Sequence, residues 1–390
     1  MGGIYLIFPE TDTCIPVRHP GDKWSPASWW LLPFKEIFMN HRYSGLQCSR
    51  LLVVSAVATF LISSTQAQSS PPTGDPAYIS SDARLELLWN GGQDITEGPA
   101  VGPDGTVYFS EITNTAANTE DGVDAGHIWK YNPTTGETTI FRSPSGMSNG
   151  MMFDAQDRLI AAEGADYGGQ RVTRTDMATN KTYIIAGMYE GRPFNAPNDI
   201  AIDEQGRIYF TDPRYLGHEP IEQPVMGVYR IDTDGSIHRI LADVGKPNGI
   251  AVSPDQRSLY VVSHDNGAIG VNLPPGISLQ KGQMALKAYD LHGDGTATFR
   301  KTLVDYSPQD GPDGMTVDVE GNLYVTECNP KRLGVAIRSP DGEERAFIPF
   351  DIIPRNASFG RGANSHTLYI TAGNGLYRIQ VVKQGYHLPR

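Results

Sequence analysis

The chain has 390 residues, 42 of them glycine and 28 proline, with 9% aromatic residues and a formal charge of -12. That length supplies core for one large domain or two ordinary ones, and the Gly and Pro content favours many short elements joined by specified turns. The negative charge argues against nucleic acid and anionic membrane surfaces as partners.

In chain order, the first element is an apolar run. Arg50 precedes residues 51–62, and Thr65-Gln66-Ala67 follows as a small-residue cleavage site. The run is short for a membrane span, so residues 1–67 read as a presequence whose signal peptide is removed after Ala67, with no stable membrane insertion afterwards. Met39 then serves as the alternative start, with His41, Arg42 and Arg50 as the basic segment; the competing reading is an uncleaved anchor. The expected destination is the periplasm or the medium. Cys14 and Cys48 fall before the cut and leave Cys328 alone, so no disulfide framework is expected.

A Pro/Ser/Gly tether at 68–83 leads into repeated strands. "DGTVYFSE", "QDRLIAAEG", "QGRIYFTD", "QRSLYVVSHD", "EGNLYVTE" and "SHTLYITAG" carry the equivalent residues Tyr108, Ile160, Tyr209, Tyr260, Tyr324 and Tyr369, spaced by 52, 49, 51, 64 and 45 residues. Such periods mark a propeller or solenoid. Further alternating strands such as "HIWKYNP" and "GVYRIDTDGSIHRIL" follow in each unit, with no amphipathic helix between them. The expected fold is all-β: a six-bladed β-propeller over 84–382 with four-stranded antiparallel blades, and a tail at 383–390. "ARLELLWN", ahead of the first full unit, can complete the last blade beside "GLYRIQVV".

One polar position recurs. Glu97, Asn149, Asn198, Asn248, Asp313 and Asn356 stand 11 to 13 residues before the strand markers, in "TEGP", "SNGM", "PNDI", "PNGI", "PDGM" and "RNAS". In a closed ring these points converge on the axis. Asn and Asp also cap turns, but Glu97 is a poorer turn former. A second series, Glu111, Glu163, Asp212, Ser263 and Glu327, lies three residues beyond the markers, with Ala372 the exception. Converging carboxylates need protons or a cation, and an all-oxygen donor set suits a hard ion such as Ca²⁺.

The ordered blocks "ITEGPAVGPDGTVYFSE", "FNAPNDIAIDEQGRIYFTDP", "KPNGIAVSPD", "PDGMTVDVEGNLYVT" and "LYITAGNGLYRI" resemble the SMP-30/gluconolactonase family of six-bladed, metal-dependent lactonases. The resemblance implies one divalent ion, Ca²⁺ before Zn²⁺, Mg²⁺ or Mn²⁺, and a small sugar lactone opened to its hydroxy acid. It implies Glu97 and Asn198 as metal ligands, Asn149 as a metal or substrate contact, and Glu163 facing the lactone. Arg171 and His264 are expected as further substrate contacts, a solvated salt bridge between Glu163 and Arg171 being the alternative for that pair.

The family's remaining acidic ligand, also its general base, falls on Ser263. Asp265, two residues on, returns to the same face if the strand continues, and takes both roles with His264 as rival. Asp212 is the second choice as base. A serine-hydrolase reading lacks a G-x-S-x-G element. The alternatives are a metal-dependent hydrolase of another lactone, aryl ester or phosphate ester, and a non-catalytic propeller binding module.

Overall fold

The structure is a computed structural model that describes residues 70–113, 125–270 and 280–389. The candidate signal segment, the Ala67 cleavage site and Met39 lie outside the described residues. Within the described residues the chain forms six antiparallel sheets around a ring, with one two-residue hairpin, Met188–Tyr189 with Arg192–Pro193, outside them.

Each blade begins with an inner strand. These are Ile95–Val101, Ser148–Phe153, Ile200–Ile202, Pro247–Val252, Pro312–Val317 and Pro354–Phe359 for blades one to six. The second strand of each blade carries the aromatic or apolar marker, and all six markers are buried. The hairpins between first and second strands are closed by side chains. Asp154, Asp203 and Asp318 each accept two backbone N–H groups from the turn that follows, at 2.9–3.0 Å, which is why an aspartate recurs at the end of the inner strand.

Blade six closes the ring. Its outer strand is Glu86–Trp89, drawn from ahead of blade one and paired with Gly375–Gln380, as the alternation of "ARLELLWN" predicts. Neighbouring blades then share cores. Between blades two and three, Ile160, Ala162 and Val172 meet Ile200, Phe210 and Tyr229. Each fully buried side chain of this kind contributes roughly 1.5–3 kcal/mol.

Both ends of the described chain dock on the ring. Thr73–Gly74, in the segment read as a tether, adds a fifth strand beside Glu344–Pro349 of blade five. Gly74 has φ 110° and a Cβ there would lie 2.5 Å from Ala346 Cα, so the contact requires glycine. The tail crosses the face where the inner strands finish. Gly385 bridges Asp318, Tyr386 N–H donates to the Val317 carbonyl, His387 Nε2 meets the Gly360 carbonyl at 2.9 Å, and Leu388 is buried in the core shared by blades two and three.

Candidate functional site

The six inner strands enter the ring from the same end, and the recurrent polar residue stands at or just before each entrance. Glu97, Asn149, Asn198, Asn248, Asp313 and Asn356 are all buried. A cavity of about 90 Å³ runs below them, lined by residues from all six inner strands. The polar residues therefore share one rung of the axis.

Glycines make that convergence sterically possible. A Cβ on Gly98 would lie 2.0 Å from the Asn149 carbonyl, and one on Gly150 would lie 2.2 Å from Asp199 Oδ1. On Gly249 it would lie 2.5 Å from the Asp313 carbonyl, and on Gly314 2.2 Å from Asn356 Cγ. Each glycine thus admits the polar residue of the next blade. This is the physical content of the repeated "EG", "NG" and "DG" pairs.

The electrostatics follow from crowding. Burial first, and then the Asp313 carboxylate, push the Glu97 carboxyl well above its ordinary range, with Arg355 opposing and Asp199 adding to the rise. Arg355 Nη1 lies 3.1 Å from Asp313 Oδ2 and offsets part of the charge. Asp199, which replaces glycine after Asn198, is pushed up to about 7 by burial, against backbone N–H donors from Ile200 and Ile250. Asn149 Oδ1 is buried with no hydrogen-bond partner.

Such an orphaned acceptor beside two carboxylates fits a cation better than it fits a closed polar network. Among the described residues no three His, Cys, Asp or Glu side chains group for metal binding. A set of two carboxylates and several carboxamides does not require three. The residues present fit a hard divalent ion held by oxygen.

The second polar series does not join this ring. Glu111 accepts the N–H groups of Gln93 and Asp94 and the Trp129 indole N–H. Asp212 accepts the N–H groups of Asn195 and Ala196 at 2.9 and 2.8 Å, and burial pushes it up to about 7. Ser263 Oγ lies 2.8 Å from both the Val244 and Gln283 carbonyls, which share its one hydroxyl hydrogen, and Glu327 is held by Tyr306, Arg332 and Arg338. In Glu111, Asp212 and Ser263 these side chains latch the loop that delivers their own blade's polar residue to the axis. Both Asp212 oxygens are engaged by that latch.

Glu163 is clamped by Arg142 at 2.9 Å, Arg171 at 2.7 Å and Thr173 at 2.9 Å, one strand out from the axis. Arg171 faces a cleft between blades one and two together with Arg142 and Tyr167. His264 is buried, and its Nδ1 donates to the Pro312 carbonyl at 2.7 Å beside Asp313.

Asp265 stands off the rung, in the loop beside Lys246. It follows the strand Ser258–His264, with its N–H on the Gln283 carbonyl at 3.4 Å and its carbonyl accepting the Gly282 N–H at 2.9 Å. Its side chain is 29% exposed, 4.0 Å from Lys246 Nζ, and accepts the Gly267 N–H. The carboxylate that stands beside Glu97 on the rung is Asp313, already visible as a member of the recurrent series.

Three further residues at the site carried no periodic signal. Tyr215 donates to the His264 carbonyl at 3.1 Å and accepts from Asn248 Nδ2 at 3.3 Å. Lys246 lies 4.7 Å from the Tyr215 ring centroid, and burial pushes its ammonium down to about 8. Cys328 Sγ lies 3.8 Å from Asp313 Oδ2, and burial followed by that charge pushes its thiol well up, so it is a poor nucleophile.

A profile of the SMP-30/gluconolactonase/LRE-like region matches residues 95–374. The chain belongs to this family. Within it, the gluconolactonase of Zymomonas mobilis is 30% identical over 276 residues, 64% of this chain and 71% of that protein. The lactonohydrolase oryL of Aspergillus oryzae is 29% identical over 219 residues, 53% of this chain and 48% of that protein. A solved gluconolactonase structure from Xanthomonas campestris superposes with a TM-score of 0.65 at 27% identity, covering 80% of this chain and 96% of that one.

Proposed function

We propose that this family member is an exported, metal-dependent lactonase that opens a sugar lactone to its hydroxy acid. The observation that carries the reading is the buried rung of Glu97, Asn149, Asn198 and Asp313, with Asn149 Oδ1 lacking any partner. A scaffold protein has no use for a buried, partnerless carboxamide oxygen on a rung that also carries two carboxylates. The relatives named for gluconolactone and lactone hydrolysis support the same chemistry. Export rests on the apolar run at 51–62.

Glu97, Asn149, Asn198 and Asp313 would hold a divalent ion, Ca²⁺ by preference for hard oxygen donors. When bound, the ion supplies polarisation of the lactone carbonyl and stabilises the charge that develops on its oxygen. Asp313 is the base in place of Asp265. Arg355 and the Cys328 thiol both address Asp313 Oδ2, which leaves Oδ1 to accept a proton from the attacking water. As the water oxygen bonds to the carbonyl carbon and the ring C–O bond breaks, that proton passes to the departing alkoxide. Asn248, steadied by Tyr215, offers ring hydroxyls a carboxamide that adds no charge, and His264 offers a ring nitrogen beside it.

The test is acid release from a panel of aldonolactones, aliphatic lactones, aryl esters and phosphate esters. It is run with purified protein after chelation and after return of Ca²⁺, Zn²⁺, Mg²⁺ or Mn²⁺ singly. Metal-restored hydrolysis of aldonolactones is expected. Full activity in the chelated protein, or no lactone turnover with any ion, rejects the reading.

A further inference from the structure

Two loops wall a small pocket that contains Asn149 and Asn198. One, from blade two, contributes Gly164 and Ala165; the other, from blade three, contributes Tyr215 and Leu216. Two residues further along each loop stands an aromatic ring. Those rings, Tyr167 and His218, lie with centroids 4.2 Å apart and planes at 42°.

Folding does not call for this pair. Tyr167 is 54% exposed and the His218 side chain 43% exposed, so the contact shields little apolar surface from water. Its backbone is also unfavourable: Asp166 and Tyr167 are consecutive non-glycine residues at φ 66° and 65°. The conformation is imposed by a network anchored on a buried arginine. Glu219 accepts the N–H groups of both Asp166 and Tyr167, at 3.0 and 2.7 Å, and the fully buried Arg214 donates to the Glu219 carbonyl at 2.9 Å. Asp166 Oδ1 lies 3.3 Å from His218 Nδ1 and orients the second ring. Strain held this firmly, in order to keep an aromatic face in solvent, points to a ligand.

Size indicates what part of the ligand. The pocket between the walls measures about 70 Å³, whereas sites that enclose a whole small molecule run to about 300–1,000 Å³. The reacting carbonyl fits inside, and the remainder of a polyhydroxylated ring must lie across the rim. Sugar rings present an apolar C–H face, which an aromatic ring covers without asking for hydrogen bonds.

Building on the lactonase reading, we infer that Tyr167 and His218 form an aromatic ledge that stacks on the C–H face of the substrate ring and selects sugar lactones over small aliphatic ones. The ledge is a specificity element and takes no part in the bond-breaking step.

Steady-state kinetics of the metal-loaded wild type, Tyr167→Ala, Tyr167→Phe and His218→Ala on gluconolactone and on δ-valerolactone test it. Tyr167→Ala raises KM for gluconolactone about three- to tenfold, the factor expected for one aromatic contact, with kcat within about twofold and δ-valerolactone unchanged. Tyr167→Phe retains the wild-type KM. Equal losses on both lactones indicate a merely structural loop and overturn the ledge, as does an unchanged KM in both alanine variants. Saturation-transfer NMR with gluconolactam gives a reading independent of turnover. Contacts to its ring C–H protons that vanish in Tyr167→Ala uphold the ledge even if no lactone is hydrolysed, an outcome that rejects the lactonase alone. Contacts that persist in that variant reject the ledge.

Discussion

Arg355 and Asp313 form the ion pair that sets the charge of the central rung, Nη1 to Oδ2 at 3.1 Å. The guanidinium favours ionisation of Glu97 while Asp313 opposes it, so the cup carries one fixed cation among several acids. Asp313→Asn is expected to lower kcat on an aldonolactone by about 10²-fold or more, the usual worth of a positioned base. Asp265→Asn, which changes a carboxylate off the rung beside Lys246, stays within about threefold. Rates for the two variants side by side decide between them, and the opposite ranking would return the base to Asp265.

Calcium titration followed by calorimetry probes the same charges from the other side. An ion present at 100 times its Kd stabilises the folded chain by about 2.7 kcal/mol, so the wild-type Tm should climb with added Ca²⁺. Glu97→Gln removes one anionic oxygen and one buried carboxyl held against its neighbours. Its metal-free form should melt no lower than wild type, and its affinity for Ca²⁺ should fall at least about tenfold. A variant that binds and responds to Ca²⁺ as wild type does removes Glu97 from the ligand set.

The ring was legible because repetition converts spacing into geometry: six equivalent residues in six equivalent units must meet at the axis. Closure by Glu86–Trp89 was legible for the same reason, since only an alternating strand fits the vacant edge of blade six. The reading of Asp265 rested on alternation, which holds only while a strand lasts, and the strand ends at His264. The carboxylates of the second series share the spacing of the first. What separates them is their partners: Gln93, Asp94, Asn195 and Ala196 are ordinary loop residues whose N–H groups happen to be delivered by the fold. Arg355 was adjacent to Asn356 in sequence, yet its role depends on a blade boundary, where the Asp313 rung passes beside it.

Glycine at the rung is a steric requirement. Gly249→Ala places a methyl 2.5 Å from the Asp313 carbonyl oxygen, a backbone atom that cannot rotate away. The variant should lose about 1–3 kcal/mol of stability, the ordinary cost of overpacking, and should lose lactonase activity with it because Asp313 shifts. Gly293 has nothing within 4 Å of its Cβ position, and Gly293→Ala should be neutral or stabilising by up to about 1 kcal/mol. Urea melts of both proteins give the comparison. A Gly249→Ala protein as stable as the Gly293→Ala control would mean the inner strands are not packed against one another at that height.

The docked tail should respond to acid. Burial, followed by the nearby Arg361, pushes His387 down to about 4, and its Nε2 must carry a proton to donate to the Gly360 carbonyl. The unfolded imidazole titrates near 6.5. Between those values the unfolded chain binds a proton that the folded chain refuses, so the contribution is complete above pH 6.5 and is lost as pH falls towards 4. The difference amounts to about 3 kcal/mol at most. His387→Gln keeps an N–H donor but does not titrate, so the stability gap between wild type and variant should narrow or reverse from pH 7 to pH 4.5. Amide exchange at Tyr386, whose N–H bonds the Val317 carbonyl, should accelerate over the same interval in wild type alone. Parallel pH curves for the two proteins would show that the imidazole is already solvated and that the tail is held by Leu388 and the Gly385 bridge without it.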